Sequence, residues 1–225
     1  MLSPAKILRQ KGASDLDGRW SEAALLTFVY CIFCGIFSAT VSSGAELFVP
    51  YIGTFFSLLL LPMSWGYSVT FLANHRKSDN DPFSVGRLFD GYRDFVRILL
   101  TLLLEGIYVI LWALLLIIPG IIKALSYSMT AFILRDRPDL KYNGAIELSM
   151  AMMEGHKWEL FWLYLTFIGW AILCLLTLGI GYFWLEPYVT STMANFYEEL
   201  KVEYEGRVFE KPAEVTEDTY NKSER

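Results

Sequence analysis

Positive charge in this chain is confined to a few places: of nineteen Lys and Arg residues, all but Lys123 fall in four segments separated by long apolar stretches. Lys6, Arg9, Lys11 and Arg19 precede the first stretch, and Arg76, Lys77, Arg87, Arg93 and Arg97 follow the second. Arg135, Arg137, Lys141 and Lys157 form a third group, and the rest close the chain from Lys201 to Arg225. Lys and Arg collect on the cytoplasmic side of membrane spans. The alternation therefore reads as a multi-pass topology with the N- and C-termini both cytoplasmic.

Composition agrees with that reading. The chain is 54% hydrophobic and 19% charged, with a mean hydropathy of +0.38 over 225 residues, against about 25% charged in a soluble domain. Residues 21–42, 50–73, 98–118 and 158–180 are each long enough to cross about 30 Å of hydrocarbon as a helix. Two shorter stretches, 121–134 and 186–200, fit either spans or re-entrant helices by hydropathy alone. If both cross, every positive cluster lands on one side, which favours six transmembrane helices. A cleaved signal peptide is the competing reading of the first stretch. Asp15 and Asp17 interrupt its basic flank, and its apolar run is long for that role.

An acidic residue, a glycine and a cation recur before three of the spans: Asp17-Gly18-Arg19, Asp90-Gly91-Tyr92-Arg93 and Glu154-Gly155-His156-Lys157. A proline follows each glycine at a similar interval: Pro50 at 32 positions, Pro119 at 28 and Pro187 at 32. Glycine permits a turn, and proline at a first helical turn sacrifices no hydrogen bond. The expectation is an all-α polytopic membrane protein, built as three tandem helical hairpins at about 17–74, 88–135 and 154–201. These form one transmembrane domain, 1–201, followed by a flexible cytoplasmic tail, 202–225.

The inside loops carry amphipathic patterns of their own. In 83–97, Val85, Leu88, Phe89, Tyr92, Phe95 and Val96 recur at helical spacing, with Arg87, Asp90, Arg93, Asp94 and Arg97 largely opposite. Such a segment suits a helix lying in the membrane interface. Residues 142–154 repeat the idea with Ile146, Met150, Met152 and Met153. A Met-rich surface adapts to several partners, so both linkers are candidate docking faces for other membrane proteins as well as for lipid headgroups.

The string IIPGIIKALSYSMTAFIL, the Asp-Arg-Pro-Asp turn, AIELSMAMMEGHKWELFWLYLTFIGWAIL, LTLGIG and EPYVTSTMANFYEEL together resemble the integral membrane family catalogued as domain of unknown function 975. The resemblance covers roughly residues 85–200 strongly and the first hairpin weakly. It implies a bacterial cytoplasmic-membrane protein of several helices, and it carries over no catalytic residue.

Charges inside spans mark function, because a charge at the bilayer centre costs at least about 2.5 kcal/mol. Glu105 and Lys123 are the two. Folding the chain at Pro119-Gly120 places Glu105 level with Arg135, as an ion pair or as a protonated acid, and places Lys123 near the outer end of its helix. There Lys123 and Glu186, each close to a helix-opening proline, form a candidate outer-mouth pair. The short helices are rich in hydroxyls: Ser126, Ser128 and Thr130 in one, Thr190, Ser191, Thr192 and Asn195 in the other. If those faces converge, Glu105, Tyr67, Tyr127, Thr190 and Asn195 line a polar pocket between the hairpins. Close helix packing uses the same small residues.

Signals for an enzyme are absent from the sequence. Cys31 and Cys34 stand three apart within an apolar span without nearby His, no H-E-x-x-H, G-x-S-x-G or P-loop pattern occurs, and the basic residues form no nucleic-acid patch. No catalytic residue, cofactor or metal site is expected. Two classes of function stay open: a membrane-embedded interaction or scaffold protein, and a small transporter or lipid/amphiphile-binding protein.

Overall fold

The computed structural model describes residues 2–42, 58–78 and 82–210, and within them it is helical without strands. Pro50, and with it the first expected turn, lies outside the described residues. The chain begins with α1 (Ala5–Asp15) and α2 (Trp20–Ser42), followed by α3 (Leu61–His75) and a 3₁₀ segment, Val85–Tyr92. Next come α4 (Phe95–Leu115), α5 (Ile117–Tyr127), α6 (Thr130–Asp136) and α7 (Asn143–Met152). The last two helices are α8 (Lys157–Leu176) and α9 (Tyr182–Glu210).

Among the described residues, three stretches are long and apolar enough to cross a membrane: Phe95–Leu115, Ile117–Asp136 and Lys157–Leu176. Only 11% of the most apolar window of α4 is buried. A helix that is apolar all round and left uncovered needs an apolar solvent, which lipid supplies. The largest exposure falls at the tips, on Leu114 to Ile118 and on Leu175, Leu176 and Leu178.

Contacts that step in opposite directions along two helices show which pairs run antiparallel. In α4 against α5 and α6, Trp112 meets Lys123, Tyr108 meets Tyr127 and Arg97 donates to the Leu134 carbonyl. In α8 against α9, Phe167 meets Tyr188 and His156 meets Glu203. In α2 against α3, Thr27 meets Tyr67 and Arg19 meets Asn74. Helix α9 packs against α1, α2, α3, α7 and α8. Its inward residues Ala194, Phe196, Tyr197 and Leu200 are buried with Phe71, Leu72, Met129 and Ile133. This core excludes water in the way the apolar tips do not.

Several boundaries differ from the sequence expectation. The α4–α5 turn is the single extended residue Leu116, at φ −159° and ψ 138°, so Pro119-Gly120 lies inside α5 rather than at the fold. Pro187 lies inside α9, which starts at Tyr182. A proline there removes one bond to the carbonyl four residues back, a small loss in a 29-residue helix. That helix also continues through Glu210, so the segment expected to be flexible from 202 is helical to that point, and 211–225 lies outside the described residues. Gly18 and Gly155 both take positive φ, at 76° and 89°, as two copies of one turn would. Gly91 does not, and serves close packing instead.

The amphipathic linkers are consumed by the fold. Val85–Tyr92 runs antiparallel along α3: Leu88 is fully buried, its carbonyl faces Gly66, Gly91 faces the Pro62 carbonyl, and the Tyr92 hydroxyl donates to Leu59 O at 2.7 Å. Val85 and Phe89 stay exposed. Helix α7 packs along α5, with the Ser149 hydroxyl donating to Ser126 O at 2.8 Å. Ala145, Ile146, Met152 and Met153 are buried, so most of the Met-rich face is core.

The basic N-terminal flank forms a helix that the charge pattern concealed. Leu8, Gly12 and Leu16, spaced four apart, are buried, and α1 packs on α9. A Cβ at Gly12 would stand 2.4 Å from Thr192 Oγ1 and 2.9 Å from the Thr192 backbone. Gly12→Leu should therefore lift α1 off α9. Amide exchange at residues 5–15 should rise sharply while the α4–α5 pair keeps its protection; unchanged exchange in 5–15 would show that α1 is not held by this crossing.

Candidate functional site

The residues expected to share one polar pocket are divided. Tyr67 on α3 stacks on Tyr30 at 4.9 Å between centroids and shares a 2.9 Å hydrogen bond with the Thr27 hydroxyl. Glu105 and Tyr127 lie within electrostatic reach of one another in the α4–α5 pair, with Glu105 near the Thr130 hydroxyl, which donates to the Tyr127 carbonyl, and Tyr127 beside Tyr108. Thr190 is buried on α9. Asn195 donates to Asp15 Oδ2 at 2.6 Å and to Ser191 O at 2.9 Å. Each of the four besides Thr190 is thus occupied by a local partner.

The two expected ion pairs do not form among the described residues. Arg135 is exposed and makes no salt bridge with Glu105. Lys123 is half-buried, its Nζ 5.0 Å from the Trp112 ring centroid and 3.9 Å from Met150 Sδ. Glu186 lies instead beside the Tyr182 hydroxyl. The displaced fold point accounts for this: a turn at Leu116 puts Lys123 two turns down the helix, onto α7.

Two constellations that the sequence reading did not assemble stand out. The first is a charged lock where the C-terminal ends of α3 and α6 meet the middle of α9. Arg76 grips Asp136 with two hydrogen bonds at 2.6 and 2.7 Å and also pairs with Glu198. Lys201 reaches the same carboxylate at 2.7 Å, and the Tyr197 hydroxyl donates to it at 2.9 Å. The Asp136 hydrogen bonds, against the cost of burial, push the Arg76 guanidinium still further above its usual value, so it remains charged. Beside it, Asp15 meets His75 Nδ1 at 2.7 Å and accepts from Asn195. Every member is satisfied from within, which is the signature of a brace between helices.

The second is a cleft of about 410 Å³ between α1, α2, α8 and α9. Trp184 and Tyr188 project from one face of α9 by their four-residue spacing. Trp170 and Leu173 come from α8, Trp20 opens α2, and Ala13 on α1 forms the floor. Trp20 and Tyr188 stand 6.2 Å apart by ring centroids. At the Tyr188 end, Arg9 Nε donates to the Tyr188 hydroxyl at 3.3 Å, and the guanidinium lies 5.5 Å from the Phe167 ring centroid. An apolar groove with an aromatic rim and one cation at its end can accept a chain with a polar head. The four-residue spacing of Trp184 and Tyr188 was the signal available in the sequence.

Among the described residues, no group of three or more His, Cys, Asp or Glu is placed to hold a metal ion. Comparison with known proteins gives one finding: residues 113–203 match the family model described as Protein of unknown function (DUF975). No curated protein and no solved structure matches the chain.

Proposed function

We propose that this chain, whose residues 113–203 match the DUF975 family model, is a multi-pass membrane protein that binds a membrane amphiphile in the cleft between α1, α2, α8 and α9. In this reading six helices cross the bacterial cytoplasmic membrane as three hairpins, with both termini cytoplasmic. The confinement of Lys and Arg to four segments supports that topology. The role is one of binding rather than catalysis, and the observation that carries it is the cleft itself. Its volume of about 410 Å³ falls within the range of small-ligand sites, about 300–1,000 Å³, and its wall is tryptophan and aliphatic side chain.

The scaffold reading keeps one observation in its favour, the exposure of Val85, Phe89 and Val96 on the 83–97 linker. The burial of Met152 and Met153 takes the other linker face away from it. The amphiphile reading is tested by melting the purified chain in non-ionic detergent with and without added phospholipid. Ligand at one hundred times its Kd should stabilise the native chain by about 2.7 kcal/mol. Ala13→Phe, which fills the floor of the cleft, should remove the shift. Equal stabilisation of both forms would place the lipid elsewhere.

A further inference from the structure

We infer that the cleft selects anionic phospholipids, with the Arg9 guanidinium reading the headgroup phosphate; this rests on the amphiphile reading above. Arg9 and Ala13 are four apart on α1 and share one face, so the cation stands at the end of the groove whose floor Ala13 forms. The groove wall from Gly181, just before α9, to Tyr188 on α9 is seven residue steps or about 10 Å long, enough to seat part of an acyl chain with its head at the Arg9 end.

Arg9 differs in state from the cations that carboxylates hold. Lys11 is neutralised by Glu199 at 2.6 Å, and Arg76 by Asp136 and Glu198. Arg9, half-buried, has among the described residues no carboxylate partner: its contacts are the Tyr188 hydroxyl and the Phe167 ring. Among the described residues one of its five N–H donors is used, and the ring holds the guanidinium in place. A planar, permanently charged fork with open donors at the polar end of an apolar groove matches a phosphate with a chain attached. A zwitterionic head brings its own ammonium to the same place and gains less.

The experiment is a lipid titration of the full chain in non-ionic detergent, read by melting temperature, with phosphatidylglycerol and phosphatidylcholine of identical acyl chains. The native chain should half-saturate at about fivefold lower phosphatidylglycerol, the effect of one cation at an anionic surface. Arg9→Gln should level the two lipids and still be stabilised by both, whereas Arg9→Lys should keep most of the preference. Lys6→Gln, an exposed cation on the same helix, should leave the preference intact. Equal affinities in the native chain, a preference that survives Arg9→Gln, or one lost in Lys6→Gln would overturn the assignment to Arg9 while leaving the cleft as a chain site. If neither lipid stabilises the native chain, the amphiphile reading fails and this inference with it.

Discussion

Gly91→Ala should unseat the 3₁₀ segment from α3 and lower the stability of the whole helical body. A Cβ at Gly91 would lie 2.2 Å from the Pro62 carbonyl oxygen, 2.9 Å from its carbon and 3.1 Å from its Cα. All three are backbone atoms of the first turn of α3, so no side chain can swing aside. Overpacking of this kind costs about 1–3 kcal/mol and occasionally more, and the rigidity of both partners puts Gly91 at the high end. Gly66→Ala attacks the same seam from the other side, with a Cβ 2.6 Å from Leu88 O and 2.7 Å from Arg87 O. The double variant should therefore cost less than the sum, because a seam already opened is not opened twice. Gly86→Ala is the internal control: its nearest neighbour is Ser84 Oγ at 3.6 Å, and its effect should stay within about 0.5 kcal/mol. Thermal unfolding of the four variants in one detergent decides the matter. A Gly91→Ala melting curve that overlays the Gly86→Ala curve would mean that the segment is not seated on α3.

The same seam shows what the sequence could and could not disclose. Helical, membrane-compatible character was legible because hydropathy and charge act over whole segments, and no tertiary contact can reverse a run such as 98–118. The seating of Val85–Tyr92 was not. Its apolar spacing fits a helix on the membrane surface as well as one face against α3, and the choice is made by two glycines that admit backbone contact. Fold points were misplaced for a related reason: Pro119 and Pro187 are tolerated inside helices, so the proline is a poorer guide to the turn than Leu116 in one case and Gly179, at φ 86°, in the other. Helix α1 was hidden because its cations fit a charged membrane flank as well as a helix, and its Leu8, Gly12 and Leu16 face is only three residues long. At the candidate site, the cleft draws its walls from residues 13 to 188, so its existence depends on helix crossings that a linear pattern does not encode. Of the five polar residues proposed from the sequence, Tyr67, Tyr127, Thr190 and Asn195 are buried, whereas the expected levels of Glu105 and Lys123 shifted with the turn from Pro119 to Leu116.

Asp136→Ala should be the most destabilising change at the charged end of the bundle. The carboxylate side chain is 8% exposed and is shared by Arg76 from the end of α3 and Lys201 from α9, with Tyr197 as a third donor. Removing it strands two cations and a hydroxyl at once, and breaking a buried pair from one side costs about 3–5 kcal/mol. Arg76 and Lys201 each keep about a third of their side-chain exposure, and Arg76 retains Glu198. Water and the surviving partner therefore hold the loss near the lower figure. Asp136→Asn should cost less, because the amide oxygen still accepts from Tyr197. Removing both charges of the exposed Arg137 and Asp139 pair should cost far less, because water screens such surface pairs. Denaturant or thermal unfolding ranks the three. If Asp136→Ala falls level with the exposed pair, the lock is a surface ornament, and the docking of α3 and α6 on α9 rests on Phe71, Phe132, Phe196 and their apolar neighbours alone.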